Sequence, residues 1–84
     1  MIHPAVCVYT KSNCQPCKRT KKELELRGVT YTEVNIESDP GALAFVTELG
    51  HKAAPVVVLE DGTSWSGLVP ALINQHFGKR PANV

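Results

Sequence analysis

The stretch Ala5-Val6-Cys7-Val8-Tyr9-Thr10-Lys11-Ser12-Asn13-Cys14-Gln15-Pro16-Cys17 decides how this chain is read. Its first five residues are apolar and β-branched, which predicts a strand, and Thr10 to Asn13 are loop formers. From Gln15 to Arg27 the pattern favours a helix that Gly28 stops. Cys14 and Cys17 therefore fall at a strand-to-helix turn, on the helix N-terminus. There the orphan backbone N–H groups and the positive end of the helix dipole favour a thiolate on Cys14, the form of cysteine that attacks a disulfide.

Working outward, Val29-Thr30-Tyr31-Thr32-Glu33-Val34-Asn35-Ile36 alternates in polarity and reads as a second strand. Strand, helix and strand form a βαβ unit, for which parallel strands and a right-handed crossover are expected. Asp39-Pro40 supplies an N-cap and a first-turn proline, and Leu43, Val46 and Leu49 recur at helical spacing before Gly50. Pro55 to Leu59, a turn at Glu60-Asp61-Gly62-Thr63, and Ser64-Trp65 predict an antiparallel hairpin. A third helix is expected over Val69–Phe77, with Pro70 near its start, Gly78 after it, and Val69, Leu72, Ile73 and Phe77 on its apolar face. The tail from Lys79 to Val84 is expected to fray. The expected fold is α/β, a four-stranded mixed sheet with three helices in the order β-α-β-α-β-β-α, as one domain over residues 1–84. The two cysteines stand at the C-terminal end of the first strand, where open α/β sheets place their chemistry.

Composition narrows the function. A chain of 84 residues buries only about 60% of its unfolded surface and has no room for a second, cofactor-binding domain. Nine Lys and Arg against eight Asp and Glu leave a net charge of +1, which argues against nucleic-acid binding by bulk charge. The basic residues Lys11, Lys18, Arg19, Lys21, Lys22 and Arg27 all lie in the cysteine loop or its helix, so that end is expected to be electropositive, mostly as a solvated face, with Lys18 and Lys21 placed to steer an acidic partner. No signal-peptide pattern begins the sequence, and its longest apolar run, Ala53 to Leu59, is far short of a membrane span of ~18 residues. A soluble, cytoplasmic monomer is the expectation.

Three cysteines suit a structural disulfide framework poorly, the count being odd and two of them lying close together. Cys14 is assigned as the attacking thiolate, first in the pair and the more exposed, and Cys17 as the resolving thiol that closes the disulfide. A zinc site would need paired Cys and His spacings that Cys7, His3, His51 and His76 do not supply. The histidines read as surface or internally satisfied residues, and Cys7 as a small buried hydrophobe. Lys11 is close enough to the pair to favour a thiolate.

With these residues, and with an Ala54-Pro55 step leading into the third strand, the chain resembles the thioredoxin and glutaredoxin superfamily. Val8-Tyr9-Thr10-Lys11, Leu49-Gly50 followed by Ala54-Pro55-Val56-Val57-Val58, and Trp65-Ser66-Gly67 narrow the resemblance to the NrdH-redoxins. The resemblance covers residues 5 to 78. It implies a thioredoxin-like fold and a dithiol-disulfide oxidoreductase that takes electrons from thioredoxin reductase and passes them to class Ib ribonucleotide reductase, with no bound cofactor because a reversible Cys14-Cys17 disulfide carries the electrons. It further implies a cis bond before Pro55, an Ala54 backbone placed to pair with an extended substrate, and a groove lined by Trp65, Ser66 and Gly67, with Lys11, Gln15 and Pro16 beside it. Two segments depart from the family's pattern. Gln15-Pro16 stands where Val-Gln is common, and Leu68-Val69-Pro70-Ala71 where Phe-Arg-Pro-Asp is common. The alternatives are a glutathione-dependent glutaredoxin, which usually carries a Gly-Gly and a following Asp in the Trp65 region, and a metal-cluster-binding thiol protein.

Overall fold

The computed structural model describes residues 5–79 and contains seven elements: β1 (Val6–Thr10), α1 (Gln15–Leu26), β2 (Thr32–Asn35), α2 (Pro40–Glu48), β3 (Val56–Leu59), β4 (Ser64–Ser66) and α3 (Pro70–Phe77). The strands form one sheet in the order β2-β1-β3-β4. β1 runs parallel to β2, with Val8 opposite Glu33, and antiparallel to β3, with Val8 opposite Val57. β3 and β4 pair antiparallel around the Asp61-Gly62 turn, where the Asp61 carboxylate accepts the Thr63 N–H at 2.9 Å. This is the expected α/β architecture. His3 and residues 80–84 of the expected frayed tail lie outside the described residues.

Strand alternation sorts the core. Val6, Val8 and Thr10 point to one face of the sheet, and Val8 and Val57 meet Leu24 of α1 and Ile73 and Phe77 of α3 in a single apolar cluster. The side chains of Val8, Val57, Leu24 and Ile73 are fully removed from solvent. Arg27 closes the far end of this layer. Its guanidinium donates to the Glu23 carboxylate at 2.8 Å, to the Gly78 carbonyl at 2.8 Å and to Asn74 Oδ1 at 2.6 Å, tying the end of α1 to the end of α3. Arg27 is thus a structural tie and not part of a solvated basic face.

The second strand is shorter than its pattern implied. Gly28, at φ +71°, lets the chain reverse after α1, with the Gly28 N–H donating to the Glu25 carbonyl and the Val29 N–H to the Leu24 carbonyl, each at 3.0 Å. This cap draws Val29 into the core, so that pairing with β1 starts only at Thr32.

α2 forms where the spacing predicts a helix, though the spacing does not give its buried face. Its buried residues are Ala42 and Val46, while Leu43 and Leu49 are exposed. The helix is apolar almost all round, so spacing alone could not select the face that meets the sheet. Cys7, expected as a small buried hydrophobe, is a further correction. Alternation turns it away from the α1/α3 core, onto the face where α2 covers Tyr9, whose ring centroid lies 5.7 Å from that of Phe45. Cys7 is half-buried, outside any disulfide, beside Thr32 and Val58 in a shallow open recess. Among the described residues no helix is long and apolar enough to cross a membrane.

Candidate active site

The C-terminal end of β1 delivers the chain to the cysteine pair through a loop held at several points. The Ile36 N–H donates to the Thr10 carbonyl at 2.8 Å, prolonging the β1–β2 pairing to the rim of the sheet. Ser12 donates its N–H to Glu37 Oε1 at 2.9 Å, and this hydrogen bond, more than any other influence, holds the Glu37 carboxyl below the usual carboxylate range. Asn13 then adopts φ +55°, a left-handed conformation that asparagine tolerates better than most residues, and turns the chain into α1.

Cys14 is the N-cap of α1. Its Sγ accepts the Cys17 N–H at 3.1 Å, so the sulfur occupies the place a serine or aspartate oxygen usually takes. Pro16, in the first turn, brings no N–H. Cys14 and Cys17 are joined in a disulfide, their Cα atoms 5.2 Å apart. In this oxidised form the contrast expected between an exposed Cys14 and a covered Cys17 is slight, at 4% and 2%. Both pack against Ala54, with Ile36 beside them, and the exposed members of the motif are Gln15 and Pro16. On reduction, negative charge forming on Cys14 would meet the Cys17 N–H and the positive end of the helix dipole.

The Ala54–Pro55 bond is cis. The Gly67 N–H donates to the Pro55 carbonyl at 2.8 Å, which ties the Trp65-Ser66-Gly67 segment to the cis-proline loop. Ser66 and Gly67 are half-buried there, but the Trp65 side chain turns into the α1/α3 core, 5% exposed and stacked on His76 with centroids 5.5 Å apart. The Trp65 side chain is thus part of the core and not of a groove wall beside the cysteines. Lys11, together with Ile36, Leu43, His51, Lys52 and Ala54, lines a groove of about 250 Å³ on the α2 side, and of these Ile36 and Ala54 also pack against the cysteines. His51 is satisfied through Nε2 and Ser64 Oγ, 2.8 Å apart. Among the described residues, no group of three or more His, Cys, Asp or Glu side chains is placed to hold a metal ion.

Lys21 differs from its sequence reading. Its ammonium donates to Glu33 Oε2 at 3.0 Å, and the same oxygen accepts the Thr10 hydroxyl at 2.9 Å. Neither Glu33 nor Glu37 stood out in the sequence, because carboxylates in an alternating polar strand and its following turn look like solvated residues. Only the sheet register, which sets Glu33 beside Val8 and near Thr10, reveals the contact.

A helix-capping disulfide beside a cis-proline loop, on a β2-β1-β3-β4 sheet, can be compared with known proteins. The sequence model of the glutaredoxin family matches residues 6–65. The chain is 39% identical over 66 residues to the glutaredoxin-like protein NrdH of Lactococcus lactis, covering 79% of this chain and 90% of that protein. It is 37% identical over 71 residues to NrdH of Salmonella typhimurium, covering 84% and 86%. The chain belongs to the glutaredoxin family and, within it, to the NrdH-redoxins. Among solved structures, NrdH-redoxin from Escherichia coli, a glutaredoxin-like protein with a thioredoxin-like activity profile, superposes with a TM-score of 0.80 at 33% identity, covering 93% of this chain and 97% of that one. Membership makes this NrdH-type chain a thiol-disulfide oxidoreductase, and Cys14-Gln15-Pro16-Cys17 is its redox-capable motif.

Proposed function

We propose that this NrdH-type protein reduces disulfides of protein partners by dithiol exchange, that thioredoxin reductase recycles it in the cytoplasm, and that class Ib ribonucleotide reductase is its acceptor. The observation that carries the chemistry is the Cys14 sulfur at the N-cap of α1, accepting the Cys17 N–H. In the reduced protein the Cys14 thiolate attacks one sulfur of the partner disulfide, forming a mixed disulfide and releasing the partner's other sulfur as a thiolate that takes up a proton. Cys17 then loses its proton and attacks Cys14 Sγ. The Cys14–Cys17 bond forms, the mixed disulfide breaks, and the partner leaves as a dithiol, two electrons richer. Gln15 and Pro16 form the exposed cap of the motif, and the Ala54-Pro55 backbone, flanked by Ser66 and Gly67, is the surface against which an extended partner segment lies. Lys11 stands at the edge of that surface.

The recycling route rests on the likeness to the NrdH proteins and on the absence of the Gly-Gly-Asp pattern from this sequence. NADPH consumption by the oxidised protein tests it, with thioredoxin reductase in one arm and glutathione plus glutathione reductase in the other. Turnover is expected in the first arm alone, and turnover only in the second would make the protein a glutathione-dependent glutaredoxin. Cys14→Ser is expected to abolish turnover. Cys17→Ser is expected to accumulate a mixed disulfide with the partner, visible as a mass increase. Full activity in Cys14→Ser would overturn the assignment of roles.

A further inference from the structure

At the end of β1 that leads to the cysteine loop, on the α1 side of the sheet, three side chains from three elements converge. Thr10 ends β1 and is 2% exposed, Lys21 belongs to α1, and Glu33 belongs to β2. A single carboxylate oxygen, Glu33 Oε2, takes both the Thr10 hydroxyl at 2.9 Å and the Lys21 ammonium at 3.0 Å.

The position of Lys21 on its helix gives this cluster its meaning. Cys17 and Lys21 are four residues apart in α1, hence neighbours on one helix face with Cβ atoms roughly 6 Å apart. Side chains in an α-helix lean toward its N-terminus, so Lys21 leans toward the turn that holds the cysteines. An uncompensated ammonium there would favour thiolates over thiols. Glu33 supplies the opposite charge, and the lowered pKa of its carboxyl, caused first by the Lys21 hydrogen bond, keeps it ionised throughout the working range of a thiol reductase.

We propose that Glu33 is a positioning residue for the redox reaction: by holding the Lys21 ammonium and the end of β1 together, it sets how strongly Lys21 promotes ionisation of the dithiol. The proposal rests on Cys14 and Cys17 being the cycling pair. The charged and titratable groups around it are Glu25 and Tyr31, hydrogen-bonded to each other at 2.7 Å beside Glu33, Lys18 and Lys22 on α1, Lys11 in the redox loop, and Glu37 in the turn after β2 that accepts from that loop. These stay in place in the variants below and form a common background. Lys21 and Glu33 are 25% and 41% exposed in their side chains, so the effect belongs to the screened regime and amounts to about a two- to fivefold change in the thiol ionisation constant.

Thiolate absorbance near 240 nm, followed against pH on the reduced full-length protein, measures that constant without any partner. Glu33→Gln keeps the shape and the acceptor for Thr10 but removes the charge, and is expected to raise thiol ionisation two- to fivefold. Lys21→Gln is expected to lower it by a similar factor, and the double variant to return close to the starting protein. Both single shifts should shrink in 1 M NaCl. Unchanged ionisation in both single variants, or shifts in the same direction, would overturn the proposal, because general loosening of the site has no reason to respond to the sign of the charge removed. The titration needs no reductase, so its outcome is separate from that of the NADPH assay.

Discussion

The two faces of the sheet are built to different standards. Toward α1 and α3, Val8, Val57, Leu24 and Ile73 are sealed from water, and Arg27 fastens the ends of both helices. Toward α2, burial is thin: Ala42 and Val46 meet the sheet, Leu43, Phe45 and Leu49 remain 40–48% exposed, and Cys7 lies in an open recess. The dithiol sits at the rim between these layers, its helix rooted in the dense side and its sulfurs packed against Ala54, which also lines the groove on the thin side. Stability and access to the disulfide are thus divided between the faces, and a small domain that must expose its chemistry gains from keeping the two apart.

The division is most directly broken by truncating one residue on each side. Ile73→Ala removes a fully buried side chain from the dense layer and is expected to cost about 2–5 kcal/mol. Leu43→Ala, on the exposed side of α2, is expected to cost less than about 0.5 kcal/mol. Urea unfolding of both variants measures the contrast, and equal losses would refute it. A smaller effect is expected at the start of α2, where Asp39 Oδ1 accepts the Ala42 N–H at 3.0 Å. Asp39→Ala should cost about 1 kcal/mol. On the thin face that loss should appear as faster amide exchange within α2 while the protection of Leu24 and Ile73 is kept.

The smallest effect expected is one of pH. Glu33 has its carboxyl pKa lowered chiefly by the Lys21 hydrogen bond, with Thr10 adding to it and burial opposing it. A lowered folded-state pKa means a stabilising contribution that is present above the unfolded carboxylate pKa of about 4.3 and is lost as pH falls through the lower folded value. Because Glu33 is 41% exposed, that contribution is small. Between pH 7 and pH 3 the parent protein should lose slightly more of its urea midpoint than Glu33→Gln, and an equal or greater loss in the variant would show that the carboxylate plays no such part.

Much of this was legible in the chain itself. The order of elements, the helix starts at Gln15, Pro40 and Pro70, and the place of Cys14 and Cys17 at a strand-to-helix turn follow from local chemistry: β-branched runs, N-caps, first-turn prolines and glycines where the backbone reverses. Those signals act over a few residues, and so they can be read from a few residues. Which side of α2 is buried, why Trp65 enters the core, why Cys7 does not, and how Thr10, Lys21 and Glu33 share one oxygen depend on pairings between segments far apart in sequence. A helix apolar almost all round shows no clear preferred face until a sheet is laid against it. A carboxylate gains its meaning only when strand register brings it under the helix that bears the cysteines, and that register was decided by the tertiary structure alone.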